Sequence, residues 1–421
     1  MTAVSETAGR TPTDLPWYRA ITWVHWRVLI AGWAVWSLDA IDFLALTFVL
    51  TDISKAFDVS LGTTSLLLLA TYGVRWIGGL LFGSISDRIG RKLPLLICLA
   101  WFTVCAVLTG VATNFTWIVI CRLLLGFGMA PGFSLGATLV AETWPAKYRA
   151  LAIGIHDTGW AIGGLGAALI YGFIYPWTGW RGVFFVGVIP AIIVAVFIAF
   201  WVPESPIWHR QEKPASIRDE PAAMLFRRHL RVVAYLTLLM LCLFFANWPM
   251  LGLFPTYLKS LQFPTGTIAT LTFTVAAGQL VGFVFSGMIA EALGRRGGLA
   301  AMMSGGVLGI LIMIAVIHNL FLAEVFAFIG GGLLIGASGI WGTVLSEHLP
   351  TEVRASGVGF LYNVGSIAGG FVPFAVLSIV SGLGIDFGVA MGGTTITAVV
   401  LAIVVLYFAR ETKGVSLTDI R

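Results

Sequence analysis

The sequence predicts an all-α membrane protein: twelve transmembrane helices in two like-oriented, pseudo-symmetric halves of six. Three observations predict it. First, 58% of the 421 residues are hydrophobic and only 11% charged, with a mean hydropathy of +0.94. A soluble chain keeps about a quarter of its residues charged, so the bilayer must serve as solvent. Second, apolar runs of about 20 residues recur, each able to cross about 30 Å of hydrocarbon as a helix, and the alternation of an outer-membrane barrel is absent. Third, the chain repeats itself. "ETWPAKYRALAIG" at 142–154 matches "EHLPTEVRASGVG" at 347–359, and "GSISDRIGRK" at 83–92 matches "GMIAEALGRR" at 287–296. Two parallel repeats of this kind are a secondary-transporter pattern, with a ligand site between them near the midplane.

The elements follow in order. Residues 1–25 are polar without an apolar core and read as a cytoplasmic tail and not a cleaved signal. Six runs fill 26–202, at about 26–50, 61–83, 93–112, 115–141, 150–175 and 181–202. Residues 203–231 form the one long hydrophilic loop. Six more runs fill 232–409, at about 232–258, 265–289, 298–317, 320–345, 355–381 and 385–409, and 410–421 is a second tail. Of 25 Lys and Arg, twenty fall on the side of the tails, three on the other and two within spans, which places both tails in the cytoplasm. No basic cluster is dense enough for nucleic acid; the net charge of +5 suits anionic lipid.

Span 1 carries "WAVWSLDAIDFLALTF", with Asp39 and Asp42 three residues apart and therefore on one helix face. Two ionised carboxylates there cost roughly 5–7 kcal/mol. Loss of water and a like-charged neighbour both favour the protonated acid, so one of the pair is expected to take and release a proton. The preference falls on Asp42. The alternative is that both pair with Arg75 and Arg122 and only fix the bundle. Arg75 in span 2 can fork onto a substrate carboxylate or onto these aspartates. His156 and Asp157 in span 5 match, with a one-residue slip, Tyr362 and Asn363 in span 11, and all four are read as walls of a central cavity. The His–Asp step suits a proton relay or a hydrogen-bond cluster on the tail side. Asn247 and Trp248 precede Pro249 in span 7, where a broken helix frees backbone groups, and Gln279 of span 8 is a further contact candidate.

The remaining features are structural. Five Gly-x-x-x-Gly seams (from Gly79, Gly159, Gly278, Gly332 and Gly365) read as helix packing. Trp23, Trp26, Trp117, Trp177 and Trp180 read as an interfacial belt. Cys98, Cys105, Cys121 and Cys242 read as buried apolar residues. "GVATN" and "GGLG" lack the strand and the Lys-Ser/Thr of a phosphate loop. No metal or cofactor set and no nucleophile–base set appears, so an enzyme is not expected.

Gly83-x-x-x-Asp87-Arg88-x-Gly90-Arg91-Lys92, echoed by Glu291 and Arg295, resembles the loop signature of the major facilitator superfamily. The resemblance implies the major facilitator fold and a latch made by this loop that holds the outward-facing state. Arg122-x-x-x-Gly126 in span 4 resembles the motif of proton-coupled members. Its structural alternative is a fixed ion pair, since an arginine inside a span needs a partner. "PWYRAITWVHWR", "LDAIDF", "VRWIGG", "GWRGVFF", "NWPMLGLFPTYLK" and "GVGFLYNVGSIAGGFVPF" resemble the bacterial sialate:proton symporters and related carboxylate symporters. Many of these have a Gly-Glu-aromatic step where this chain has Pro131-Gly132-Phe133. The resemblance implies a monomer of the bacterial cytoplasmic membrane that imports an organic anion with a proton, driven by the proton gradient without a cofactor. A sialic acid leads, with lactate, an aromatic acid or a dicarboxylate as alternatives. A proton-driven exporter is disfavoured because Gly159–Gly164 lacks the Gly-Pro step common in antiporters.

Overall fold

The computed structural model describes residues 20–210, 220–417 and 420. Most of the N-terminal tail, the middle of the central loop and part of the last few residues lie outside these. Among the described residues every regular element is helical.

Span 1 is a single helix, Trp23–Ala56. Span 2 is two helices, Leu61–Gly73 and Arg75–Ile89. Span 3 is Lys92–Gly110 and span 4 is Phe115–Met129 followed by Pro131–Thr143. Span 5 is Arg149–Phe173 and span 6 is Tyr175–Val186 with Val188–Trp201. In the second half span 7 is Leu230–Trp248, a π turn Pro249–Leu253 and Phe254–Ser260. Spans 8 and 9 are Thr265–Leu293 and Arg295–Ala315. Span 10 is Leu320–Gly330, irregular turns through Ile340, and Trp341–His348. Spans 11 and 12 are Arg354–Leu383 and Phe387–Tyr407. Eleven of the twelve are long and apolar enough to cross a membrane on length and composition alone. The other, span 5, is 25 residues long but carries His156, Asp157 and interleaved glycines.

Several helices outrun the expected limits. Span 1 reaches Ala56 and span 2 reaches Ile89, because a helix continues past the hydrocarbon until a breaker stops it. Gly90, at φ +105°, is that breaker for span 2. The break in span 7 has the expected cause: Pro249 has no N–H to donate and its ring displaces the carbonyl one turn back. The central loop is not wholly irregular. Pro221–Arg228 is an amphipathic helix with Met224 and Leu225 buried.

Span 1 packs along span 5 within the first half. Across the halves, span 2 packs on span 11 and span 5 on span 8. Glycine permits this closeness. A Cβ on Gly79 would meet the carbonyl of Gly359, and one on Gly83 the backbone of Ala355 and Ser356. On the second seam a Cβ on Gly154 would meet the Phe283 carbonyl, and one on Gly287 the backbone of Ala150 and Leu151. All four cysteines are buried and unpaired. Trp23, Trp26, Trp117 and Trp177 are exposed as a belt requires, but Trp180 is only 7% exposed. It packs on Phe57 and Phe184 with the Arg181 guanidinium 4.2 Å from its ring, so it belongs to the protein interior.

Candidate functional site

Between the halves lies a cavity of about 780 Å³. It begins at Arg75 and Asn363 and extends away from the tails to Thr47, Leu66 and Pro373. Its wall is largely aromatic. The rings of Trp36 and Trp160 lie 4.9 Å apart and Tyr362 meets Trp36 edge-on. Behind that wall Phe133 stacks on Tyr362 at 3.9 Å. Among the described lining residues only Arg75 and Asp157 have a basic or acidic side chain.

Arg75 opens the second helix of span 2 and grips Asp39 of span 1 with both terminal nitrogens. One contact is 3.0 Å, from Nη1 to Oδ1; the second joins Nη2 to Oδ2. Its Nε donates to Oδ1 of Asn363, on span 11, at 3.2 Å. The Asn363 amide in turn donates to the carbonyls of Gly359 and, on span 4, Ala130. Both members of the Asp39–Arg75 pair are 2% exposed or less. Such a pair is neutral overall. A proton on Asp39 would leave a guanidinium charge and two donors at the cavity wall, where an anion is the natural replacement.

Asp42 has a different partner. Its Oδ2 accepts from Nη1 of Arg122 at 2.6 Å, and that guanidinium lies 4.8 Å from the Phe184 ring centroid. Nε and Nη2 of Arg122 are buried without a hydrogen-bond partner. Asp39, Asp42 and Arg122 stand outside the cavity lining, Asp39 reaching it through Arg75.

Asp157, Asn247, Trp248, Gln279, Tyr362 and Asn363 join Arg75 on the wall, as expected. His156 does not. It is fully buried behind Asp157, its Nδ1 3.0 Å from Asp157 Oδ1 and its ring against Gly32 and Gly136. Successive residues on a helix point about 100° apart, and here that turn carries the imidazole toward spans 1 and 4 while Asp157 faces the cavity. Sequence reasoning missed Trp36, Tyr72 and Trp160. The signal was present: each stands three residues from a singled-out polar residue (Asp39, Arg75, Asp157) and shares its helix face.

The gating residues gather at the tail end. Asp87 accepts from the backbone N–H of Ala355 and Ser356, at 3.1 and 2.9 Å, from the Ser356 hydroxyl, and from Arg91. Glu291 accepts from the Ala150 N–H at 3.0 Å and from Arg295. Glu142 receives Arg91 of its own half and Arg354 of the other. Glu347 receives Arg295 of its own half and Arg149 of the other. Gly83 and Gly90 supply the close approach and the turn. Arg88 stands aside from this lock and pairs with Glu220 of the central loop. With Gly79 on Gly359 beneath Arg75, these contacts close the cavity toward the tails.

The model of the Major Facilitator Superfamily matches residues 32–373. The chain is 29% identical over 410 residues to a Cupriavidus pinatubonensis protein named "Probable 4-methylmuconolactone transporter", covering 96% of this chain and 95% of that one. It is 28% identical to the sialic acid transporter NanX of Escherichia coli, covering 94% and 97%. Among solved structures, the proton:xylose symporter XylE superposes with a TM-score of 0.77 at 18% identity, covering 94% of this chain and 98% of XylE.

Proposed function

From the premise that this chain belongs to the Major Facilitator Superfamily, a family of transporters, we propose that it is a proton-coupled symporter importing a small organic carboxylate across the bacterial cytoplasmic membrane. The observation that carries this reading is the pairing of Asp39 with Arg75, which lines a cavity with no other cationic side chain among the described residues. The Lys/Arg asymmetry puts the tails in the cytoplasm, so the cavity of the described state faces the periplasm. Asp39 takes a proton there, its grip on Arg75 loosens, and the substrate carboxylate takes its place. The lock then parts. Asp39 loses its proton to the cytoplasm, reclaims Arg75 and expels the anion. Asp42, the acid preferred on sequence alone, is held by Arg122 away from the cavity, so the exchange is assigned to Asp39. A monoanion moving with one proton is electroneutral, and each further proton adds about 2.3 kcal/mol per 100 mV.

The aromatic wall favours a flat, unsaturated acid, since rings stack on rings. Substrates of this kind stand in the names of relatives: cis,cis-muconate for an Acinetobacter baylyi protein and niacin for another. A sialic acid is the second reading, supported by the likeness to NanX and by Asn247, Gln279, Ser338 and Ser366 as readers of hydroxyl groups. The test is uptake in a transporter-null strain, comparing nicotinate, cis,cis-muconate, lactate and N-acetylneuraminate across external pH. Asp39→Asn is expected to keep exchange of substrate across the membrane and to lose uphill accumulation. An Asp39→Asn protein that still concentrates substrate removes the proton assignment.

A further inference from the structure

The buried charges of the first half do not cancel evenly. Asp39 has Arg75 and Asp42 has Arg122, each pair neutral. Among the described residues Asp157 has no guanidinium or ammonium partner. Among the described residues its ion-pair partner is His156, through Nδ1 at 3.0 Å. With a neutral imidazole, Asp157 would place an uncompensated negative charge on the wall of a cavity that must admit an anion. Burying such a charge costs several kcal/mol, and the anion would add repulsion. One proton held by the two residues removes both penalties.

Among the described residues their surroundings supply no other compensation. Span 1 brings Asp39, already held by Arg75. Span 11 brings Tyr362. Span 4 brings Phe133 and Gly136 to the imidazole, neither ionisable. Span 8 carries Glu291 and the tail end of span 10 carries Glu347, both occupied at the lock by Arg295, and Glu347 also by Arg149. Span 6 carries Arg181, whose guanidinium donates to the Ala112 carbonyl.

The same place offers a way out. His156 Nε2 is buried and unpartnered. Two residues toward the tails, Gly154 is the point where span 5 meets the Phe283 carbonyl and Gly339 of the other half. That seam must part when the cavity opens to the tail side, and parting it lets water reach the imidazole.

We infer that His156 and Asp157 form a second proton-carrying site, separate from the span 1 aspartates, holding one proton while the tail side is closed and releasing it when the halves part there. The bound form is an imidazolium on a carboxylate, or the neutral acid beside neutral imidazole. Release breaks one N–H or O–H bond, passes the proton to water and leaves imidazole beside carboxylate. The inference rests on the symport reading and adds a second proton to it, so that uptake of a monoanion carries one net positive charge.

Two measurements test it. The first needs no substrate. In purified protein in nanodiscs at pH 7, the ¹⁵N signals of His156 are assigned from their loss in His156→Gln, and the infrared carboxyl stretch of Asp157 from its loss in Asp157→Asn. A doubly protonated ring or a protonated Asp157 is expected; a neutral ring beside an ionised Asp157 overturns the inference. The second measures charge per substrate in proteoliposomes with benzoate, nicotinate and N-acetylneuraminate, all monoanions. One charge per anion is expected for the unaltered protein and none for Asp157→Asn. Electroneutral uptake by the unaltered protein that still responds to a pH gradient overturns the second proton while leaving symport intact. Uptake indifferent to the pH gradient removes symport itself.

Discussion

The lock at the tail end and the charged pairs beside the cavity are built on opposite plans. The lock is duplicated. Glu142 takes Arg91 from its own half and Arg354 from the other, and Glu347 repeats this with Arg295 and Arg149. The cavity pairs occur once. Counting 204 residues on from Arg75 reaches Gln279, and 205 on from Asp39, Asp42 and Arg122 reaches Phe244, Asn247 and Ala327. Where the first half has ions, the second has amides, a ring or a methyl group, and both amides line the cavity. Closure is therefore a shared property of the repeat, while the buried ion pairs beside the cavity belong to one half and the amides that line it to the other.

This contrast can be broken experimentally. The largest effect is expected from Arg75→Ala, which removes the cavity's cation and leaves Asp39 buried without a partner at a cost of about 3–5 kcal/mol. Uptake is expected to fall more than about 100-fold by that arithmetic, whereas Gln279→Ala is expected to raise the KM about 3- to 10-fold, the loss of one or two neutral hydrogen bonds. Equal loss of proton coupling in both variants would end the division of labour. Next, Glu142→Gln and Glu347→Gln are expected to favour the tail-open state by similar amounts, on the order of 10- to 100-fold. Disulfide trapping of cysteine pairs across the span 2–span 11 and span 5–span 8 seams measures this, and a large disparity would deny the symmetry.

A smaller asymmetry lies inside the lock. Asp87 takes three donors from the other half and Glu291 takes one. Asp87→Asn is expected to open the tail side several-fold more than Glu291→Gln, by the same trapping assay. Ser356→Ala removes one hydroxyl donor and is expected to shift that balance only about threefold. If it matches Asp87→Asn, the backbone donors carry little of the latch.

Much of this was legible in the sequence. The spans were, because the bilayer imposes a length and polarity that local composition must satisfy. So were Asp87, Arg91, Glu291 and Arg295 of the lock, because the repeat wrote them twice; it also wrote Glu142, Arg149, Glu347 and Arg354 twice, but nothing local said that they meet across the halves. Which aspartate meets which arginine was not. Asp39 and Asp42 share a face of span 1, and only the packing of spans 2 and 4 sends one to Arg75 and the other to Arg122. The burial of His156 behind Asp157 was equally hidden, since adjacency in sequence carries no information about which side chain wins the open face. Trp180 was misread because a tryptophan near a span end can face lipid or a neighbouring helix, and composition does not distinguish the two.

Asn363 ties Arg75 of span 2 and the Ala130 carbonyl of span 4 to span 11 with a single amide. The halves cannot rock apart without pulling that amide from the guanidinium. Like the pallet of an escapement, it ties any parting of the halves at this point to the same guanidinium that clasps Asp39.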